Sequence, residues 1–221
     1  MLRWIQSQES NGRRRDVGTS DADEQKCPGM ATVLKRVLSK KEQPEVLDLG
    51  QFSRSAAVYV AGRGAKVHVE DFVPPPPKPK KKKNGEQGER NAVEALPVVI
   101  PHPDQSFDLV LAWEHPDFVP PDRLQEFYAE VTRVLVPGGW LLMYARDDPH
   151  TPPADPGQLA CYRLTADDRL TRTTVEGPER PRWSHPNRAI ERALSPLSVQ
   201  SIHLQRNRMR EFLARKPAQT R

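Results

Sequence analysis

Apolar and polar positions between Ser106 and Arg146 follow one another in blocks that predict a strand, a helix and a second strand. Residues 107–113 (FDLVLAW) form an almost continuously apolar run, which is typical of a strand buried on both faces. Between 121 and 135, apolar side chains recur every three or four residues, as on one face of an amphipathic helix. Pro137-Gly138-Gly139 is predicted to end that helix, and residues 140–144 (WLLMY) to form the second strand. This order predicts a βαβ unit, a right-handed crossover and a parallel sheet.

The first half of the chain shows a similar order of elements. Its patterns predict a helix over 30–38, a strand over 45–50, a helix over 54–61 and a strand over 65–72. Ser53 is placed to cap the second of these helices through its side-chain oxygen. The two halves together favour an α/β fold.

Acidic residues close the 65–72 strand. In doubly wound folds, ligands bind at the carboxyl ends of the strands, where loops and helix N-termini expose backbone N–H groups. A carboxylate at that place can accept hydrogen bonds from ribose hydroxyls. Glu70 is predicted for this role, with Asp71 as the near alternative.

The C-terminal part is predicted to complete the domain with further strands and one helix. Residues 162–175 alternate in polarity around an Ala-Asp-Asp-Arg turn, which predicts a β-hairpin over the pocket. Residues 184–194 read as a helix, and 198–204 and 209–214 as a closing antiparallel pair. The segment 178–221 also contains ten Lys and Arg residues against three Asp and Glu, while the whole chain of 221 residues carries a net charge of +5.

The composition predicts one modest domain with flexible pieces, because only 36% of the residues are hydrophobic and 23 are proline. Residues 1–28 are predicted to be a disordered tail, 29–216 the domain, and 217–221 a second tail. No signal peptide is found, and no segment reaches the roughly 20 apolar residues of a membrane span. We therefore expect a cytoplasmic protein without a membrane partner.

A Pro/Lys-rich segment at 74–90 interrupts the predicted domain. Its prolines favour an extended conformation and its lysines repel one another, so no packed element is expected there. The segment is either a solvated linker or a docking site for a proline-binding module or an anionic polymer.

Four motifs stand in the same order as in a known family: VLDLG (46–50), VHVED (67–71), the 92–113 segment from AVEALP to LVLAW, and EVTRVLVPGGWLLMY (130–144). On these motifs the chain resembles the class I S-adenosylmethionine-dependent methyltransferases, particularly the small-molecule type 11 group. The resemblance implies a Rossmann-like, doubly wound, mostly parallel sheet. It also implies a closing antiparallel strand pair and, here, a shortened crossover after the second strand.

The same resemblance implies S-adenosylmethionine as the cofactor and a small molecule as the methyl acceptor. Asp48, Gly50 and Glu70 fall at family cofactor positions, with Asp71 beside Glu70. Ala112 and Trp113 would line the methyl-transfer pocket. No metal site is predicted, and no catalytic residue is assigned. His115 is the one histidine that the fold would place near a pocket.

The loop after VLDLG departs from the family pattern. Family members usually continue with small residues and glycines, whereas this chain continues Gln51-Phe52-Ser53-Arg54. The family glycines let the backbone approach the methionine part of the cofactor, and the side chains of Phe52 and Arg54 can block that approach.

Three functional hypotheses follow. The first is a methyltransferase acting on a small molecule. The second is a catalytically inactive pseudo-methyltransferase that serves as a binding or scaffold module. The third is a nucleic-acid-binding protein that uses the basic segment 178–221, with Arg206, Arg208 and Arg210 on phosphates and Trp183 and Phe212 stacked on bases.

Overall fold

The structure is a computed structural model that describes residues 24–40, 42–50, 56–72, 98–147, 155–174, 179–205 and 207–218. In chain order, the elements are β1 (Glu24–Lys26), α1 (Pro28–Leu38), β2 (Glu45–Asp48), α2 (Ala56–Ala61), β3 (Lys66–Val69), β4 (Phe107–Trp113), α3 (His115–Phe118), α4 (Leu124–Val134), β5 (Leu135–Arg146), β6 (Asp155–Gly157), β7 (Ala160–Ala166), β8 (Arg169–Thr174), β9 (Arg180–Arg182), α5 (Asn187–Leu194), β10 (Ser198–Leu204) and β11 (Met209–Arg215). Within these ranges, every helix is too short or too polar to pass through a membrane. The predicted Pro/Lys segment 74–90 lies outside the described residues.

A six-stranded sheet in the order β10-β11-β5-β4-β2-β3 forms the centre of the protein. The strands β3, β2, β4 and β5 are parallel to their neighbours, while β11 is antiparallel to β5 and β10 is antiparallel to β11. Two further small sheets, β1-β8-β7 and β6-β9, lie outside it. The prediction of a Rossmann-like, mostly parallel sheet with a closing antiparallel pair is confirmed.

Helices cover both faces of the central sheet, as in a doubly wound fold. One apolar cluster joins the sheet to α4 and α5, and a second joins it to α1 and α2. Along β4, Val110 and Ala112 belong to the first cluster, and Leu109 and Leu111 to the second. Because successive side chains of a strand point to opposite faces, this division explains why the 107–113 run is apolar throughout.

The amphipathic helix predicted before the Pro-Gly-Gly turn is α4. Its side chains that pack into the core recur at helical spacing: Leu124, Phe127, Tyr128, Val131 and Val134. The prediction that Pro137-Gly138-Gly139 ends this helix is wrong. The backbone of Leu135 is already extended and pairs with Phe107, so the glycines lie inside β5. Gly138 is required there because its φ is +78°, a conformation that side chains disfavour.

The predicted β-hairpin is formed by β7 and β8, with Asp167 and Asp168 at the turn. A third strand, β1, joins it through backbone pairing of Glu24 with Thr171. The described part of the chain therefore begins at Glu24, within the predicted tail 1–28, and residues 1–23 lie outside it. The sequence of β1 has no hydrophobic pattern from which a strand could be predicted. A strand of three residues at the edge of a hairpin is held by its backbone and by polar side chains. Glu24, for example, accepts bonds from Thr165 and Arg169.

A buried carboxylate caps the first long helix from the far end of the chain. The residue before α1, Cys27, makes no side-chain capping bond, but Glu211 of β11 accepts the backbone N–H groups of Gly29 (2.8 Å) and Met30 (3.2 Å). A Cβ atom at Gly29 would lie 2.9 Å from the Glu211 carboxyl carbon, so the glycine is what allows this approach. Glu211 also accepts the Tyr144 hydroxyl at 3.0 Å. A negative charge at a helix N-terminus satisfies N–H groups that have no partner within the helix.

The short helix α3 is tied to the end of β5 by a second buried carboxyl group. Both oxygens of Asp117 accept the backbone N–H of Arg146, each at 3.1 Å. Burial, followed by the nearby charge of Glu114, raises the pKa of Asp117 to about 8. The folded protein therefore holds a proton at neutral pH that an unfolded chain releases.

We expect Glu211→Ala to lower the free energy of unfolding by about 3 kcal/mol, because it leaves two buried N–H groups and one hydroxyl without an acceptor. Glu211→Gln keeps the shape and one acceptor oxygen, and we expect a loss of about 1 kcal/mol. Urea denaturation of the three proteins measures both values. Equal losses in the two variants would show that the carboxylate does not cap α1.

The pKa of Asp117 predicts a pH dependence of stability. Because the folded state keeps a proton that the unfolded state has lost, the free energy of unfolding should fall as pH rises from about 6.5 to about 8, by up to about 1.4 kcal/mol per pH unit. Asp117→Asn should remove this slope. Asp168→Asn, at the exposed hairpin turn, serves as the control and should leave the slope in place. Chemical denaturation at several pH values gives the comparison, and an unchanged slope in Asp117→Asn would contradict the assignment.

Candidate cofactor site at the carboxyl edge of the sheet

The structure brings most of the predicted cofactor residues to one edge of the sheet. Asp48 ends β2, Gly50 follows it, Glu70 follows β3 and Trp113 ends β4. Backbone bonds hold these strand ends together: the Glu70 N–H donates to the Asp48 carbonyl at 2.8 Å, and the Leu49 N–H donates to the Leu111 carbonyl at 3.0 Å. This is the carboxyl edge of adjacent parallel strands, the place where a doubly wound sheet binds ligands.

Asp48 is buried, with 1% of its surface exposed. Its Oδ1 atom accepts the Gly50 N–H at 2.9 Å and the Trp113 indole N–H at 2.5 Å. Its Oδ2 atom has no partner among the described residues. Burial raises the pKa of Asp48, and the bonds from Trp113 and Gly50 oppose that rise. The side chain thus fixes the start of the loop after β2 and keeps one oxygen unpaired.

Trp113 reaches Asp48 because the end of β4 is distorted. The register of β4 against β5 shifts between Leu111 and Trp113, and Trp113 has a φ of +41°. A positive φ at a bulky residue costs about 1–2 kcal/mol and is found where the surrounding structure enforces it. The indole lies against Gly50, since a Cβ atom built on that glycine would be 2.9 Å from the indole nitrogen. The tryptophan side chain therefore fills the space beside the glycine.

Two tyrosines complete a stack on the indole, which we call the aromatic stack (Trp113, Tyr144 and Tyr162). The Trp113 and Tyr162 rings are 4.7 Å apart and the Tyr162 and Tyr144 rings 5.4 Å apart, with interplanar angles of 8° and 7°. All three side chains are buried. Tyr162 comes from β7, so the hairpin that was predicted over the pocket packs one of its own rings beside Trp113.

A buried ion pair fastens the hairpin to the same edge. Glu114 directly follows β4 and is 1% exposed. Its carboxylate accepts the Tyr162 hydroxyl and both the Nε and Nη2 atoms of Arg172 in β8, the latter at 3.0 Å. Burial raises the pKa of Glu114, but the Arg172 guanidinium outweighs it and holds the pKa below its ordinary value. Glu114, Tyr162 and Arg172 were not predicted from sequence, because nothing in local patterning signals a pairing across nearly 60 residues.

The predicted ribose-binding residues, Glu70 and Asp71, lie at the same edge of the sheet, and Glu70 contacts His102. The Glu70 carboxylate is 3.5 Å from His102 and its side chain is about one third exposed (32%). Asp71 is exposed beside it. Their role toward a ribose remains a prediction, and both carboxylates are accessible.

Ala112 and His115 are both buried, and the role of Ala112 in lining a methyl-transfer pocket remains a prediction. Ala112 is fully buried in the apolar cluster under α4 and α5. His115 bonds through Nδ1 to the Ala112 carbonyl at 2.9 Å, and its burial lowers its pKa to about 4. A neutral, buried imidazole with that pKa is poorly matched to a general base working near neutral pH. The 51–55 loop, with Phe52 and Arg54, lies outside the described residues.

Two residues of the basic C-terminal segment that were expected to contact nucleic acid, Arg210 and Phe212, are buried. Arg210 is 5% exposed and donates to the Arg146 and His185 carbonyls and to the Asn187 side chain. Phe212 is fully buried in the core, so the prediction that it stacks on bases is wrong. Arg208 is exposed, and Arg206 lies outside the described residues.

Comparison with known proteins points to one family. A family model described as a methyltransferase domain matches residues 47–143, which span β2 to β5 and include Asp48, Gly50, Glu70 and Trp113. No curated protein matches the chain in sequence.

Two solved structures share the fold. A SAM-dependent methyltransferase from Methanosarcina mazei is 13% identical, with a TM-score of 0.54, and the match covers 85% of this chain and 98% of the other. One from Mesorhizobium loti is 16% identical, with a TM-score of 0.50 and the same two coverages. At such identities the structures establish the fold alone. Together with the family match they confirm the resemblance: this chain has the fold of the class I S-adenosylmethionine-dependent methyltransferases, and its residues 47–143 match the methyltransferase domain model.

Proposed function

We propose that this protein is a pseudo-methyltransferase, in which the methyltransferase fold serves as a binding module and the site for methyl transfer is closed. One observation carries the proposal: the indole of Trp113 lies against Gly50, bonds to Asp48 and stacks on Tyr162. In the family that the chain resembles, that glycine is a cofactor position. With the indole in this position, the described residues beside Gly50 do not fit S-adenosylmethionine.

The energy needed to open the site supports the proposal. Moving Trp113 away breaks its bond to the buried Asp48 carboxylate, about 2 kcal/mol, and its two aromatic contacts, about 1 kcal/mol each. Relaxing the positive φ returns about 1–2 kcal/mol. The difference is about 2–3 kcal/mol, which weakens cofactor binding roughly a hundredfold. Phe52 and Arg54, at positions where the family has small residues, act in the same direction.

The hairpin adds a second barrier. Tyr162 cannot leave the stack without breaking its bond to Glu114, and Glu114 is held by Arg172. Because Arg172 lies on the same hairpin as Tyr162, moving the hairpin away would also separate Arg172 from Glu114. Separating a buried ion pair leaves an unpaired charge, a change that typically destabilises a protein by about 3–5 kcal/mol. The closed site is therefore a stable part of the fold.

A methyltransferase acting on a small molecule is the second candidate. It is favoured by the unpaired Asp48 Oδ2 atom, which is a free acceptor at the edge where a ligand cation would bind, and by the accessible Glu70 carboxylate. When bound, the cofactor would supply an already activated methyl group. The protein would then contribute position and exclusion of water, with Glu70 holding the ribose and Trp113 bordering the acceptor. Association with anionic or protein partners through 74–90 or 178–221 remains a prediction.

Calorimetric titration with S-adenosylmethionine and S-adenosylhomocysteine tests the proposal. We expect binding no tighter than a Kd of about 0.1 mM, since the closed site lowers a micromolar affinity roughly a hundredfold. Micromolar binding by the wild-type protein that is lost in Glu70→Ala would contradict the proposal. It would establish the small-molecule methyltransferase as the better assignment.

Trp113→Ala should open the space beside Gly50 and raise the affinity for S-adenosylhomocysteine at least tenfold, because binding no longer has to displace the indole. Trp183→Ala removes a tryptophan outside the aromatic stack and should leave the affinity unchanged. The same titration compares the two variants, with circular dichroism to verify that both are folded. If Trp113→Ala binds no better than Trp183→Ala, the indole is not what closes the site.

A further inference from the structure

A second concave site lies at the opposite end of the sheet from Trp113. It is a pocket of about 360 Å³ between α1, β10, β11 and β5, bordered by Arg36, Lys40, Trp140, His203, Leu213 and Arg215. Trp140 pairs with Arg215 across β5 and β11, near the amino end of the parallel strands. Tyr144 of the aromatic stack lies four positions further along β5 than Trp140, at a distance of roughly 13 Å along the strand. The pocket is therefore separate from the candidate cofactor site.

The charges around this pocket all have one sign. Arg36, Lys40 and Arg215 border it, and no Asp or Glu is among its lining residues. Arg36 and Lys40 are exposed, and within the described part of the chain neither makes an ion pair with a carboxylate. Cations that converge on a concave surface without counter-charges create a field that attracts anions.

The floor of the pocket is ordered and apolar. Trp140 and Leu213 are 8% and 2% exposed and belong to the apolar cluster under α1. The Arg215 guanidinium lies 5.2 Å from the centre of the Trp140 ring and donates through Nε to the Gly138 carbonyl at 3.2 Å. One cation is thus held in place before any ligand arrives, which reduces the entropy lost on binding. Ser201 and Thr32 add hydroxyl groups at the wall.

We propose that this pocket binds a phosphorylated small molecule that carries at least two negative charges. Guanidinium and ammonium groups match phosphate oxygens in charge and hydrogen-bond geometry. A volume of about 360 Å³ falls in the range of small-molecule sites, which is roughly 300–1,000 Å³. The apolar floor packs against the body of the ligand while the cations hold its phosphates. The proposal does not depend on whether the carboxyl edge binds S-adenosylmethionine.

Thermal denaturation and calorimetry with inorganic pyrophosphate test the proposal at constant ionic strength. We expect about 1 mM pyrophosphate to raise the melting temperature of the full chain by about 4 °C. Arg36→Gln and Lys40→Gln should each weaken pyrophosphate binding at least tenfold. Lys35→Gln is the matched control. It removes one charge at the exposed residue next to Arg36 in α1, and Lys35 does not line the pocket.

The control separates a defined site from a general attraction of anions to a basic protein. Loss of binding in Arg36→Gln and Lys40→Gln, with normal binding in Lys35→Gln, supports the pocket. An equal effect in all three variants would overturn the proposal, as would the absence of any thermal shift with the wild-type protein. Binding of a single-stranded oligonucleotide without binding of pyrophosphate would also overturn it and assign this surface to nucleic acid.

Discussion

The bond between the Trp113 indole and the Asp48 carboxylate is the interaction on which the carboxyl edge of this sheet depends. The bulge and the positive φ at the end of β4 accompany this bond and turn the ring toward β2. The ring in turn gives Tyr162 a surface to stack on, and Tyr162 brings the β7–β8 hairpin against Glu114. The Asp48 carboxylate thus holds both the start of the loop after β2 and an aromatic side chain.

One buried carboxylate, Glu211, connects this edge with the rest of the molecule. Tyr144, the third member of the aromatic stack, donates to Glu211, and Glu211 caps α1. Arg36 of the same helix and Lys40, two residues beyond its end, border the pocket around Trp140 and Arg215, here called the basic pocket. The aromatic stack and the basic pocket therefore share one helix and one face of the sheet, although they lie at opposite ends of the strands. Both rely on packing against the apolar cluster under α1.

Much of the fold could be predicted from sequence because its signals are local. The 107–113 strand, the α4 helix face and the hairpin each follow from a period within a few residues, and the structure has them within a few residues of the expected bounds. The Pro-Gly-Gly prediction was wrong because glycine accommodates a strand irregularity as well as a helix end. The site was only partly predictable: Asp48, Gly50, Glu70 and Trp113 meet as the strand order requires, whereas Glu114–Arg172 and Glu211–Gly29 join side chains that are distant in sequence and carry no periodic signal.

The aromatic stack also limits the evolutionary paths open to this chain. Replacing Trp113 alone with a small residue leaves a cavity beside Gly50 and removes a donor from the buried Asp48, and replacing Tyr162 alone leaves Glu114 with one donor fewer. Each single step lowers stability, and cavities left by aromatic side chains typically lower it by about 3–5 kcal/mol. A return to an open edge without that loss of stability requires coordinated change on β4 and on the hairpin. The aromatic stack is therefore difficult to lose through single substitutions.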